Sequence, residues 1–191
     1  SGLLMVAYMD GKDHTLKLSV NSDPNANGIW STYSVDATGV AGTCLSLANM
    51  EGHPAISYYD YVAGNLKYAW NANTDGSGQW SISTVYSVPG YEVGQVNSLI
   101  ALNGCPAIAF HGYEYANDLM FAVCDSADGT GNWQYAVVDS AGNVGKWLSL
   151  ATVGGKPEIA YYCSDTGDIR LAVNSESDAS GVWTYLTIDT I

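Results

Sequence analysis

Carboxylates and aromatic rings are the side chains of this sequence whose spacing suggests chemistry. Asp10 with Asp13, Asp60, Glu114 with Asp118, and Asp165 with Asp168 all fall in one recurring turn. Acidic side chains gathered in this way hold a cation, or accept hydrogen bonds from a sugar when aromatic faces stand beside them. Tyr91, Glu92, Tyr113, Glu114 and Tyr115 lie in loops at the same end, so the expected ligand face is these five residues with Asp60 and Asp165. The competing reading is that acidic turn residues cap strands and solvate a rim. A cation is also suggested by Asn71, Asn73, Asp75 and Gly76, which match the opening of a DxDxDG calcium loop. Ile82 stands at the twelfth position, where a bidentate Glu belongs. Calcium is thus the one cofactor the sequence raises, and an Asx turn bonded to its own backbone is the alternative.

The remaining reactive residues are scattered. His14 falls in a turn, His53 before Pro54 and His111 in a strand, so no shared motif joins them into a metal site or a Ser/His/Asp constellation. With 19 acidic and 6 basic residues the formal net charge is −13, which repels phosphate backbones and anionic membrane surfaces. Nucleic acid is therefore not an expected partner. No run approaches the roughly 20 apolar residues of a membrane span, and membrane insertion is not expected. Charged residues are only 13 % of the chain, while Gly, Ser, Thr, Asn and Tyr are abundant, a composition that suits short strands, tight turns and a secreted or cell-surface setting.

The elements that carry these residues repeat. Trp30, Trp80, Trp133 and Trp183 each follow a glycine two residues earlier, Gly28, Gly78, Gly131 and Gly181. Upstream of each lie two apolar segments: VAYMD with LKL, ISYYD with LKY, IAFHG with LMF, and IAYYC with IRL. Downstream comes a segment ending at Asp36, Tyr86, Asp139 or Asp189, and then, in three copies, one centred on Ser46-Leu47, Ser98-Leu99 or Ser149-Leu150. Each segment has strand length, alternates large and small residues, and is bounded by turn residues. Four-stranded units of about 40 to 50 residues in tandem are the signature of a β-propeller. The expected fold is all-β: one domain over residues 1–191, with four repeats near 3–36, 43–87, 96–139 and 147–189. The first blade lacks the Ser-Leu strand, which should be innermost, and the four blades stand alone as a ring or form part of a larger ring or array.

The turns before the tryptophans carry a resemblance. Asn25, Asp75, Asp128 and Asp178 lie five residues before each Trp, and CDSADGTGNW from Cys124 is similar to the Asp-box, SxDxGxTW, of sialidases and many secreted propellers. Ser126, Asp128 and Trp133 match that pattern; the glycine lies two residues before Trp instead of three, and the Thr is absent. The resemblance implies a structural hairpin between the third and fourth strands of a blade, remote from any catalytic centre. PAISYYD with LKYA, residues 54–60 and 66–69, also resembles repeats of large bacterial and archaeal surface proteins, and implies no activity.

A sialidase-like enzyme needs an arginine cluster to grip a carboxylate, and this chain has Arg170 alone. The protein is therefore expected not to be an enzyme. It is expected to be an extracellular binding module for glycan or protein partners; the alternative is a building block of a surface array that self-associates through its incomplete blade. Trp70 and Trp147 lie outside the tryptophan column and favour the first reading. Of the four cysteines, Cys105 precedes one strand and Cys124 ends the next, antiparallel one, so a disulfide between them is expected.

Overall fold

A computed structural model of the protein describes residues 2–38, 41–112 and 117–190, with the backbone alone at 41–43. Fifteen strands among the described residues form four antiparallel sheets. The first sheet holds β1 (Met5–Met9), β2 (Leu16–Asn21) and β3 (Trp30–Asp36). The second holds β4 (Ala41–Met50), β5 (His53–Asp60), β6 (Asn65–Asn71) and β7 (Trp80–Tyr86). The third holds β8 (Asn97–Leu102), β9 (Cys105–His111), β10 (Leu119–Cys124) and β11 (Trp133–Asp139). The fourth holds β12 (Val144–Val153), β13 (Lys156–Cys163), β14 (Ile169–Asn174) and β15 (Trp183–Asp189). Within every sheet, strands follow one another in chain order, as tight turns between short strands require.

Three apolar cores lie between the four sheets. Leu16, Leu18 and Val35 meet Ile56, Tyr58 and Trp80 between the first two. Leu66, Tyr68 and Val85 meet Leu99, Ile108 and Phe110 between the second and third. Phe121, Leu119 and Val138 meet Val144, Ile159 and Tyr161 between the third and fourth. A sheet buried on both faces needs apolar residues on both, which is why β5 is buried along nearly its whole length. The leading strands follow in series, β1 beside β4, β4 beside β8 and β8 beside β12, and the series is open.

A recurring irregularity positions the next contacts. In β2, β6, β10 and β14 the register shifts near the start of the strand, at Leu16/Lys17, Leu66/Lys67, Leu119/Met120 and Ile169/Arg170. Such a bulge re-aims the following side chain. Lys67 accordingly reaches Asp36 at 3.8 Å and Asp60 at 2.5 Å, while Tyr58 donates its hydroxyl to Asp36 at 2.7 Å. Between the third and fourth sheets Arg170 pairs with Asp139 at 2.9 Å, and Tyr161 donates to the same oxygen at 2.7 Å. Between the second and third sheets all three positions are replaced together by Tyr86, Phe110 and Met120, with the two rings 5.3 Å apart. Each interface is thus clamped at this end by a buried polar triad or by an apolar one.

The expected Cys105–Cys124 disulfide is absent, and all four cysteines are free thiols. β9 and β10 pair Ala107 with Val123; one step further sets Cys124 against Pro106 and leaves Cys105 one residue out of register. In a pleated pair that slip turns the side chains to opposite faces. Cys124 is moreover committed to its own turn. It stands where the other turns have Asn21, Asn71 and Asn174, and its sulfur accepts the N–H groups of Ser126 and Gly131, as Asn21 Oδ1 accepts those of Asp23 and Gly28.

Candidate functional site

Of the residues expected to form a ligand face, Asp60, Tyr91 and Glu92 stand in adjoining turns and Asp165 on the fourth sheet's turn. Asp60 is buried, paired with Lys67, and gives its Oδ1 to the N–H groups of Val62 and Ala63. Its turn touches the loop of Tyr91 and Glu92, where Val93 N–H donates to Gly64 C=O at 3.0 Å. Tyr91 is 46 % exposed there, and Glu92 accepts a hydrogen bond from Gln95. Asp165 lies on the fourth sheet's turn, where it accepts the N–H of Asn143 at 2.9 Å. Tyr113, Glu114 and Tyr115 lie outside the described residues. The carboxylates at this end are mostly consumed by neighbouring cations, Asp10 and Asp13 by Lys17, Asp60 by Lys67 and Asp168 by Arg170.

The calcium-like loop is an Asx turn. Asn71 Oδ1 accepts Asn73 N–H at 2.8 Å, Asp75 Oδ1 accepts Ser77 N–H at 3.0 Å, and the Asn73 amide donates to Ser77 C=O at 2.8 Å. Of the two tryptophans outside the column, Trp70 packs on His53 and Trp147 is exposed against Tyr162.

The opposite end of the sheets holds a cavity. There the turns before Trp80, Trp133 and Trp183 lean on the preceding sheet. Gly76 and Gly129 occupy its tip with φ of 72° and 73°, and a Cβ on either would overlap Leu18 or Tyr68. Tyr68 closes its interface further by donating its hydroxyl to Ala127 C=O at 2.8 Å. In the fourth sheet the tip residue is Ala179, with φ of 65°, and its partner ring across the interface is Phe121. Phe121 carries no hydroxyl to make the crosslink that Tyr68 makes, and Ala179 packs against the core of this interface. Ser177 C=O, the counterpart of Ala127 C=O, is reached instead by the Asn103 amide at 3.1 Å from the β8–β9 turn.

What remains is an open cleft of about 520 Å³ between the third and fourth sheets. Asn103, Asp125, Gln134 and Asp178 supply its polar groups and Phe121 and Val123 its apolar wall, while Tyr135 packs its ring on Tyr86 and donates its hydroxyl to Val85 C=O of the second sheet at 2.7 Å. Hydrogen bonds from the Asn132 side chain and backbone hold Asp125 below the usual carboxylate range, and those from Ser180 do the same for Asp178. Both are ionised acceptors at neutral pH. Burial pushes the Cys105 and Cys124 thiols up, so they stay protonated beside the cleft. No Lys or Arg lines it. The chemistry on offer is hydrogen-bond acceptance, amide donation and a flat apolar surface, which fits an uncharged polyhydroxylated ligand better than an anion.

Sequence reasoning missed this cleft. Its signal was present in two columns, where Ala179 breaks Gly76 and Gly129, and Phe121 replaces Tyr68.

Solved structures share this sheet arrangement. A sialidase of Streptococcus pneumoniae, NanB, matches 98 % of the chain at 14 % identity with a TM-score of 0.58. A GH43 β-1,3-galactosidase matches 98 % at 10 % identity with a TM-score of 0.63. The six-bladed β-propeller lectin of Aleuria aurantia, described with a fucose recognition mode, matches 98 % at 16 % identity with a TM-score of 0.57. The fold is β-propeller-like. The chain spans 29 %, 43 % and 61 % of these three proteins, respectively. No family model and no curated protein matches its sequence. The expectation that the protein is not an enzyme is corrected here: a sialidase and a galactosidase stand beside a lectin among the likenesses, so the fold hosts catalysis as well as binding.

Proposed function

We propose that the chain is a glycan-binding β-propeller module displayed outside the cell, and that it holds an uncharged sugar in the cleft between its third and fourth sheets. One observation carries the reading: this interface is open and lined with acceptors and amides, whereas at the neighbouring one Gly129 and Tyr68 meet in contact. Asp125 and Asp178 accept sugar hydroxyls, and Gln134 donates. The lectin likeness supports the same class of ligand. A glycan array probed with the wild-type protein and with Gln134→Ala tests it. Neutral glycans are expected to bind, sialylated ones not, and the variant should lose at least tenfold in affinity. An array on which only acidic glycans bind, or on which Gln134→Ala binds as well as wild type, contradicts the assignment.

A second reading, head-to-tail self-association, is favoured by the terminal sheets. Asp189 on the fourth stands in the column of Asp36 and Asp139, while Tyr8 and Lys17 on the first stand in those of Tyr58 with Lys67 and Tyr161 with Arg170. Asp189 is exposed, and among the described residues no sheet covers that face. Stacking one copy's first sheet on another's fourth would complete the same triad. Native mass spectrometry is expected to show concentration-dependent oligomers that Asp189→Lys abolishes; a monomer at every concentration rejects this reading.

A further inference from the structure

One turn at the clamp end carries side chains unlike those of its counterparts in the first and fourth sheets. Between β5 and β6, Asp60 is followed by Tyr61 and Val62, where the first sheet has Gly11 and Lys12 and the fourth has Ser164 and Asp165. Tyr61 is 59 % exposed and Val62 71 %. Exposed apolar side chains gathered in one place mark contact surfaces. The crossing from the second sheet to the third differs as well. Gly94 lies against Leu66 as Gly145 lies against Leu119, so Val93 and Val144 are counterparts. The crossing before Val93 takes residues 87–92, two more than the one at 140–143, and it brings in Tyr91 and Glu92. Insertions of this kind in a repeat map to its binding face.

Turn and insertion form one surface. Val93 N–H donates to Gly64 C=O at 3.0 Å, and Gly64, with φ of 69°, lies so near the insertion that a Cβ on it would stand 3.1 Å from the Tyr91 carbonyl oxygen. The Tyr61 ring meets Tyr59 edge-on, with centroids 6.3 Å apart. Burial first, with Glu92 beside it, pushes the Tyr59 hydroxyl up to about 12. Tyr59 thus joins Tyr61 to Glu92. Carboxylates outnumber cations around this turn, with Asp36, Asp60 and Glu92 set against Lys67. Exposed tyrosine rings beside an excess of carboxylate attract a cation carried on an apolar stem. The patch lies where the second and third sheets meet, away from either end of the series.

We infer that the surface of Tyr61, Val62, Tyr91 and Glu92 docks a basic protein segment, one of whose lysine or arginine stems lies on the tyrosine rings with its charged head beside Glu92. Charge complementarity names the occupant. A formal net charge of −13 repels an acidic segment, and an uncharged one would leave Glu92 without a cation. The inference does not rest on the sugar cleft, which lies at the opposite end of the sheets.

The probe is a synthetic hexalysine peptide, titrated into the 15N-labelled protein at physiological salt while amide shifts are followed. Saturable shifts are expected, confined to residues 59–64 and 87–95. Tyr61→Ala and Glu92→Gln should each weaken binding about threefold, the effect of one exposed cation–aromatic or ion-pair contact, and together about tenfold. Glu176→Gln removes the same charge from an exposed turn of the fourth sheet and should leave binding unchanged. The same peptide with its lysines acetylated should not bind. No saturable binding, shifts spread over the carboxylates of all four sheets, a loss in Glu176→Gln equal to that in Glu92→Gln, full binding by both patch variants, or equal binding of the acetylated peptide would each overturn the inference.

Discussion

The second and third sheets meet differently from the third and fourth, although the same repeat builds both. At one end of the first interface, Gly129 lies on the Tyr68 ring and the hydroxyl of that ring holds the turn; at the other end, Tyr86, Phe110 and Met120 form an apolar clamp. In the second, Ala179 and Phe121 leave the turn end open, and Asp139, Tyr161 and Arg170 make a buried polar clamp at the other. At this end the two interfaces differ by one added methyl, Ala179 for Gly129, and one missing hydroxyl, Phe121 for Tyr68. The polar clamp keeps the sheets together while the cleft stays open.

Removing the polar clamp is the largest blow to this contrast. Asp139→Ala strands the buried Arg170 guanidinium and the Tyr161 hydroxyl, and is expected to cost about 4 kcal/mol in denaturant unfolding. Replacing the triad together, with Asp139→Tyr, Tyr161→Phe and Arg170→Met, copies the neighbouring interface and should recover most of that loss. If the triple variant is no more stable than Asp139→Ala, the two clamps are not interchangeable.

Acid should weaken the same interface next. His111 on β9 faces Asn143 and Lys146 of the fourth sheet, and burial first, then the Lys146 charge, pushes its imidazole down to about 4. An unfolded histidine titrates near 6.5. Between those values the unfolded chain binds a proton that the folded one refuses, so stability is full above pH 6.5 and falls as pH drops towards 4, by about 3 kcal/mol in total. His111→Tyr, which installs the residue found at Tyr59 and Tyr162, should flatten unfolding free energy across that window. An unchanged slope in the variant would assign the acid sensitivity to other groups.

At the turn end the expected effects are smaller and of opposite kinds. Gly129→Ala forces a Cβ into the Tyr68 ring at a left-handed position and should cost about 2 kcal/mol, while Ala179→Gly, beside an open space, should cost less than about 1 kcal/mol. Equal losses would mean that the tip residue does not control the gap. Phe121→Tyr, by restoring the hydroxyl that reaches the turn carbonyl, should change stability by about 1 kcal/mol or less and still narrow the cleft enough to exclude a ligand.

Much of this architecture was legible in the sequence because sheets and turns have short, strict periods. The tryptophan spacing and the alternation in ISYYD and IAYYC correspond to the observed sheets. The site was not legible in the same way. Acidic residues draw the eye as ligands, yet Asp60 and Asp10 are answered by lysines that the bulge swings into reach, which no linear spacing reveals. Cys124 looked like half of a disulfide because hairpin position was judged without register; its place in the column of Asn21, Asn71 and Asn174 assigns it to the turn. The joint switch of Asp/Tyr/Lys to Tyr/Phe/Met between copies could have been read as contact between repeats, since three positions far apart in sequence change together.

The proposed assignment of the cleft to a sugar is tested most directly by titrating the 15N-labelled protein and its Phe121→Tyr variant with a neutral glycan that binds the wild type, following backbone amide shifts. Saturable shifts at Asn103, Asp125, Gln134, Tyr135 and Ser180 in the wild type, reduced at least tenfold in apparent affinity in the variant, are the predicted result. Shifts at Tyr91 or around Trp147 and Tyr162, with the residues between the third and fourth sheets unmoved, would contradict the account.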